Sequence, residues 1–531
     1  MAFGSFHLKE MRMSSESKYN ISISLLLLLL TVLTRVPFMS KFLYHWDSVQ
    51  FALALKKYDV TVHQPHPPGF FLYVMFGRLI NLFIKDPNTT FIFINILFSG
   101  LAVVTIYFLG KEIFDKKIGL LSAAIALTSP NMWFHGEVAY TYIADAFFSA
   151  IIALLGWRIL RGEHRYIWLS VVALGIAGGI RQYTAIFLFP LWLYSVKGVP
   201  VRKVIFSFGL FFMVCILWFV PMIWMTGGWH AYQEAYRELL LFTVGHASVL
   251  DKATLFRIFS SAVPRFTIYG VGAGVFILGL TAYSLIRHKK FHLLDRNKVI
   301  FFLAWMMPSV LFFIYIGLHP SIPGYVLIFL PALFILTAVS IDYMNSNLRV
   351  SGFIKRDFLK SIAATIIIIN ICLFLFPNFP VSYREVASHD QKVSAMLEGI
   401  KTFNPKNTAI FVEPYIFYGF RHIIYYLPEY KVYLVDLAVA PTTDERRKMF
   451  WGTNRETFRS QDIVLPEYVT EFASPLISPD IPKIYVKGII LRHLPYTNLY
   501  IASGDISLIN SIYPELKVMK YTRTGVEIIG K

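Results

Sequence analysis

One carboxylate and two imidazoles lie close together early in the chain: Asp47 in Tyr44-His-Trp-Asp-Ser48, and His63 and His66 around Gln64-Pro-His-Pro-Pro-Gly69. Asp47 heads an amphipathic stretch, so its carboxylate is either a helix N-terminal cap and dipole partner or a general base within reach of a hydroxyl. Three prolines stiffen the backbone around His66. Such a turn presents an imidazole to a phosphate or substrate oxygen, or simply starts the next helix. Glu137 and Asp145 are eight residues apart. On one helix, that spacing would put both within roughly 80° of a single face. With Asp47 they would offer oxygen ligands to a divalent cation. Arg181, in Gly178-Gly-Ile-Arg-Gln-Tyr183, needs an anion. A phosphate held by its planar fork answers that need, and so does an internal salt bridge. His319, just ahead of Pro323-Gly-Tyr325, can meet a lipid headgroup or be an ordinary loop histidine. Arg237, His246 and Arg265 read as interface packing.

What must position these groups is a membrane domain. Of 531 residues, 56% are hydrophobic and 15% charged, with mean hydropathy +0.56; a soluble chain carries about 25% charged residues. Apolar runs such as 206–225 approach the roughly 20 residues a spanning helix needs. The formal charge of +18 does not point to nucleic acid. Much of the excess sits in short loops, at Lys111, Lys116 and Lys117, then Arg158 and Arg161, Lys197 and Arg202, Arg287 and Lys289, and Lys355 and Arg356. That is the pattern of loops retained in the cytoplasm, next to anionic lipid. Cys215 and Cys372 both lie in apolar runs, so they read as core residues and no disulfide framework is indicated.

Hydropathy predicts about eleven spans, near 20–39, 90–109, 118–134, 142–157, 166–180, 183–196, 204–225, 268–286, 299–317, 324–341 and 361–377. The first is read as an uncleaved helix with its N-terminus inside. All the basic loops then share one side. Asp47, His66, Glu137, Asp145, Arg181 and His319 fall on or near the other. Stretches 48–57 and 69–84 read as amphipathic helices on the membrane surface. Residues 378–531 change texture: a helical stretch near 385–402 and short β-rich runs such as 408–412 and 483–486 predict a small extracytoplasmic α/β domain. No glycine-lysine phosphate loop, dinucleotide fingerprint or serine elbow occurs, which argues against a nucleotide-driven pump.

An aromatic-Asp loop after the first span, then His66-Pro-Pro, Tyr140-Thr-Tyr-Ile-Ala-Asp145, Gly178-Gly-Ile-Arg181 and Pro323-Gly-Tyr325 before Leu330-Pro-Ala332 form an ordered series. In that order the chain, over about residues 20–340, resembles the GT-C membrane glycosyltransferases, in the bacterial branch related to protein O-mannosyltransferases and lipid A aminoarabinose transferases. The resemblance implies transfer, with inversion, of a sugar from a polyprenyl-phosphate carrier to a glycan, lipid or protein acceptor outside the cytoplasm. It implies Asp47 as base, Asp145 as second acidic residue, and His66 on the donor phosphate. Glu137, Arg181, His319 and Tyr325 would complete the substrate site. No cofactor is required; Asp47, Glu137 and Asp145 offer a site that a divalent cation can take. Many relatives carry Asp-Glu where this chain has Asp47-Ser48. Residues after 380, with Tyr425-Tyr-Leu-Pro428, fit an accessory domain. The expected setting is a bacterial inner membrane, with no nucleic acid partner. A flippase or transporter of lipid-linked sugars is the rival class; it would line a path across the membrane midplane with broken helices or repeats.

Overall fold

The computed structural model describes residues 15–246, 263–288, 295–316, 323–350, 358–376, 380–412 and 418–436, and beyond these the strands within 458–529. His319 and Lys289 lie outside the described residues. Five helices are long and apolar enough to cross a membrane: α1 (Ser15–Arg35, continued to Phe38), α4 (Pro87–Ile113), α7 (Ile143–Leu160), α10 (Val201–Met225) and the first eighteen residues of α14 (Arg296–Ile316). They do not occupy equivalent places. In α4 and α7, 72% and 78% of the apolar window is buried inside the protein, against 17% and 11% in α1 and α10. A helix that is apolar all round belongs at the centre of a bundle or against lipid. Here α4 and α7 are the core. The outward Ile205, Phe206, Leu217 and Trp224 of α10 are lipid-facing, because exposed apolar area on this scale has no aqueous counterpart. The chain is an integral membrane protein.

Shorter helices fill in around this core: α2 (Trp46–Ala54), α3 (Phe71–Ile84), α5 (Lys116–Thr128), α6 (Pro130–Glu137), α8 (Tyr166–Ile180), α9 (Gln182–Ser195), α11 (Trp229–His246), α12 (Val263–Val271), α13 (Gly274–Arg287), α15 (Leu330–Val350) and α16 (Phe358–Leu375). The expected continuous span at 118–134 is two helices, broken where Ser129 ends one and caps the next through the Met132 amide, ahead of Pro130. The stretch between the expected spans 204–225 and 268–286 contains α11. After the bundle come α17 (Tyr383–Lys401), β1 (Thr408–Val412), α18 (Phe420–Tyr426) and β2 (Lys431–Asp436), followed by strands β3 (Phe458–Arg459), β4 (Ile484–Val486), β5 (Ile489–His493) and β6 (Leu499–Gly504). These six strands form one sheet in the order β3-β2-β1-β6-β5-β4, parallel from β3 to β1 and antiparallel thereafter.

Candidate active site

Asp47 sits in the first turn of α2, but it is not the cap. The N-cap is His45, whose Nδ1 accepts the Asp47 amide hydrogen at 3.1 Å, while Ser48 Oγ accepts the His45 amide at 3.3 Å. This capping box satisfies the helix start and leaves the Asp47 carboxylate for other work. Its Oδ2 is 3.3 Å from His45 Nδ1, and its Oδ1 is 3.5 Å from His66 Nδ1. Burial pushes the Asp47 pKa up, but His66, His45 and Arg421 outweigh it, so the carboxyl is held below the usual range and ionised.

His66 is fixed by a residue with no motif to announce it. Gln50 Oε1 accepts both the His66 backbone N–H, at 3.0 Å, and its ring Nδ1, at 2.8 Å. A backbone amide only donates, so that amide atom is oxygen and the ring proton is on Nδ1. Burial pushes the His66 pKa down to about 4, against the pull of Asp47. The ring is therefore neutral near pH 7, its contact with Asp47 is not an ion pair there, and Nε2 is its acceptor. The turn itself is latched from two sides, because Pro68 O accepts from Gln182 Nε2 at 2.9 Å and from Tyr232 Oη at 3.2 Å. Gly69 is required at its end. With φ +115° its carbonyl accepts from Tyr58 Oη at 2.6 Å, and a Cβ would stand 2.7 Å from that oxygen. His63 is the C-cap of a separate 3-10 turn, Val60–Val62.

Arg181 is the single extended residue between α8 and α9, so its side chain turns inward where two helices meet. Its Nε is 2.9 Å from Asp145 Oδ2, and its Nη1 donates to Thr141 Oγ1 at 2.5 Å. Thr184 Oγ1 donates to Asp145 Oδ1. The guanidinium lies 4.1 Å from the Tyr142 ring centre and 5.6 Å from that of Phe70. Of the two readings of Arg181, the internal salt bridge is present. Tyr325 stands edge-on to Tyr142 at 5.4 Å, on a 3-10 turn (Pro323–Ile328) tied down by Asn131 Nδ2 donating to Pro323 O. Tyr140 lies 4.9 Å from His45 and stacks on His135 at 6.1 Å, completing an aromatic wall beside Asp47.

Glu137 does not join this group. It ends α6, and residues 138–142 separate it from α7, so the helical spacing that placed it with Asp145 does not apply. Asn95 of α4 holds the break open by donating to the carbonyls of Val138 and Tyr140 at 2.7 and 2.6 Å. Glu137 is buried with Arg35 as its electrostatic partner. The expected cation site of Asp47, Glu137 and Asp145 is therefore corrected: among the described residues no group of three or more His, Cys, Asp or Glu side chains is arranged to hold a metal ion. Gln50 was the readable omission, since it lies three residues after Asp47 on the same helical face. Thr141, Thr184 and Arg421 carry no comparable signal.

Residues 65–225 match the family described as dolichyl-phosphate-mannose-protein mannosyltransferase. The fold is similar to that of ArnT from Cupriavidus metallidurans bound to undecaprenyl phosphate, with TM-score 0.55 and 12% identity over 92% of this chain and 98% of that one. The same protein in its apo state gives 0.53 at 12% identity, over 93% and 99%. The apo oligosaccharyltransferase of Archaeoglobus fulgidus gives 0.43 at 14% identity, over 72% and 59%. No curated protein matches the chain. The matched segment begins one residue before His66 and takes in Asp145 and Arg181. A segment that resembles this mannosyltransferase family therefore lies within a chain whose fold is similar to that of ArnT.

Proposed function

We propose that the protein transfers a sugar from a polyprenyl-phosphate carrier to an acceptor hydroxyl on the extracytoplasmic side, with inversion. The observation that carries this reading is Asp47: an ionised, partly buried carboxylate, released from capping by His45 and set between two imidazoles in an ArnT-like fold. In the reaction, Asp47 takes the proton of the acceptor hydroxyl as its oxygen bonds to the anomeric carbon from the face opposite the phosphate. The bond from that carbon to the phosphate oxygen breaks, and its electron pair leaves with the phosphate. Arg181 supports the developing charge while remaining paired to Asp145. His66, whose proton is committed to Gln50, meets the phosphate through Nε2 once the anion has drawn a second proton onto the ring. Tyr140, Tyr142 and Tyr325 offer aromatic faces to the sugar ring. The topology that goes with this reading has eleven spans, the N-terminus in the cytoplasm, and residues 378–531 as an accessory domain outside; the placing of the basic loops supports it.

The test is Asp47→Asn assayed for sugar transfer from a polyprenyl-phosphate donor to cell-envelope acceptors. A loss of about 10²–10⁴-fold with normal folding is expected for a general base, and full transfer by the variant removes Asp47 from that role.

A further inference from the structure

Resting on the donor reading above, we propose that Arg421, supplied by the C-terminal region, is a binding residue for the carrier phosphate and completes the site from outside the bundle. Its helix, α18, packs against α2, and three contacts fix it there. The Arg421 guanidinium lies 5.1 Å from the centre of the Trp46 ring, one residue before Asp47, a cation–π contact that orients its plane. His422 Nε2 donates to Leu43 O at 2.8 Å, and Tyr426 Oη accepts from Leu43 N at 2.9 Å. Arg421 is only 2% exposed, so its charge is not spent on water.

Two guanidiniums serve the site. Both act on His66, and Arg181 pairs with Asp145 at 2.9 Å. Arg421, held against the ring next to Asp47, also acts on Asp47, the carboxylate whose charge the reaction removes. As the acceptor proton moves to Asp47, one negative charge disappears there and one appears on the departing phosphate. A cation fixed beside this pair interacts with the carboxylate before the step and with the phosphate after it, without having to move. Preorganised charge of that kind is what a buried site uses best.

The experiment measures binding of two probes to the purified full chain, undecaprenyl phosphate and the uncharged undecaprenol. Arg421→Gln should weaken the phosphate probe by at least about tenfold, as for loss of a charged hydrogen bond, and leave undecaprenol binding unchanged. Arg421→Lys should stay close to the parent for both. Equal phosphate binding by Arg421→Gln and the parent overturns the assignment. So does parallel loss of both probes, which marks a purely structural residue, and so does Arg421→Lys behaving like Arg421→Gln. Failure of the parent chain to bind undecaprenyl phosphate would bring down the donor reading itself, a result separable from all three.

Discussion

Asp145 and Arg181 form a buried ion pair at 2.9 Å, each side chain only 7% exposed, at the junction of α7, α8 and α9. Taking both charges out of water is costly. Removing one partner strands the other, typically for about 3–5 kcal/mol. Asp145→Asn and Arg181→Gln should therefore each lower thermal stability in detergent strongly. The double variant should lose less than the sum of the two. Strict additivity in that cycle would mean the pair is not coupled.

Protonation of His66 should be visible in the pH dependence of stability. Its folded pKa of about 4 lies below the unfolded value of about 6.5. Between those values the unfolded chain binds a proton that the folded chain does not. Stability is thus fully present above about pH 6.5, declines as pH falls, and levels off below about 4. His66→Gln should flatten that part of the profile relative to the parent. Asp47, with its pKa depressed, adds a separate loss beginning only below about pH 4. Identical slopes for parent and His66→Gln from pH 6.5 to 4 would refute the neutral assignment.

The loop that carries Asp47 depends on a residue far along the chain. Asp390 of α17 accepts from Ser40 Oγ at 3.1 Å and from the amides of Lys41 and Phe42 at 2.9 and 3.3 Å. Asp390→Ala leaves the Lys41 and Phe42 amides unmatched, at about 1–3 kcal/mol for each that stays buried, while Ser40 Oγ keeps the Phe42 carbonyl at 2.5 Å. Hydrogen exchange of residues 40–44 should rise by at least about tenfold while the α4 and α7 amides keep their protection. Unchanged exchange in the loop would show that the loop holds itself.

The sequence made the membrane domain legible because hydropathy and basic loops are collective signals, repeated at every turn. Asp47, His66, Asp145 and Arg181 were legible for another reason: rare polar types in apolar surroundings need explaining one by one. What stayed hidden was pairing. Arg181 finds Asp145 rather than a free position because the start of α7 meets the α8–α9 junction there. Within the α6–α7 break itself, residues 138–142, there is no glycine or proline to mark it. It exists because Asn95, 43 and 45 positions away, takes the carbonyls of Val138 and Tyr140, and tertiary hydrogen bonds of this kind override local propensity. The connection of Arg421 to Trp46 is longer still, and arginine beside aromatic residues is too common to be noticed in a sequence.

The stitching of residues 40–43 to α17 and α18 joins positions 350 and 383 apart. During synthesis, the segment with Asp47 therefore emerges and enters its bundle long before its outer braces exist. A nascent chain holds the first helices of the site but not the side chains that fix the loop ahead of Asp47. The order of translation thus acts as a timer: that loop gains its anchors only with the chain's last third.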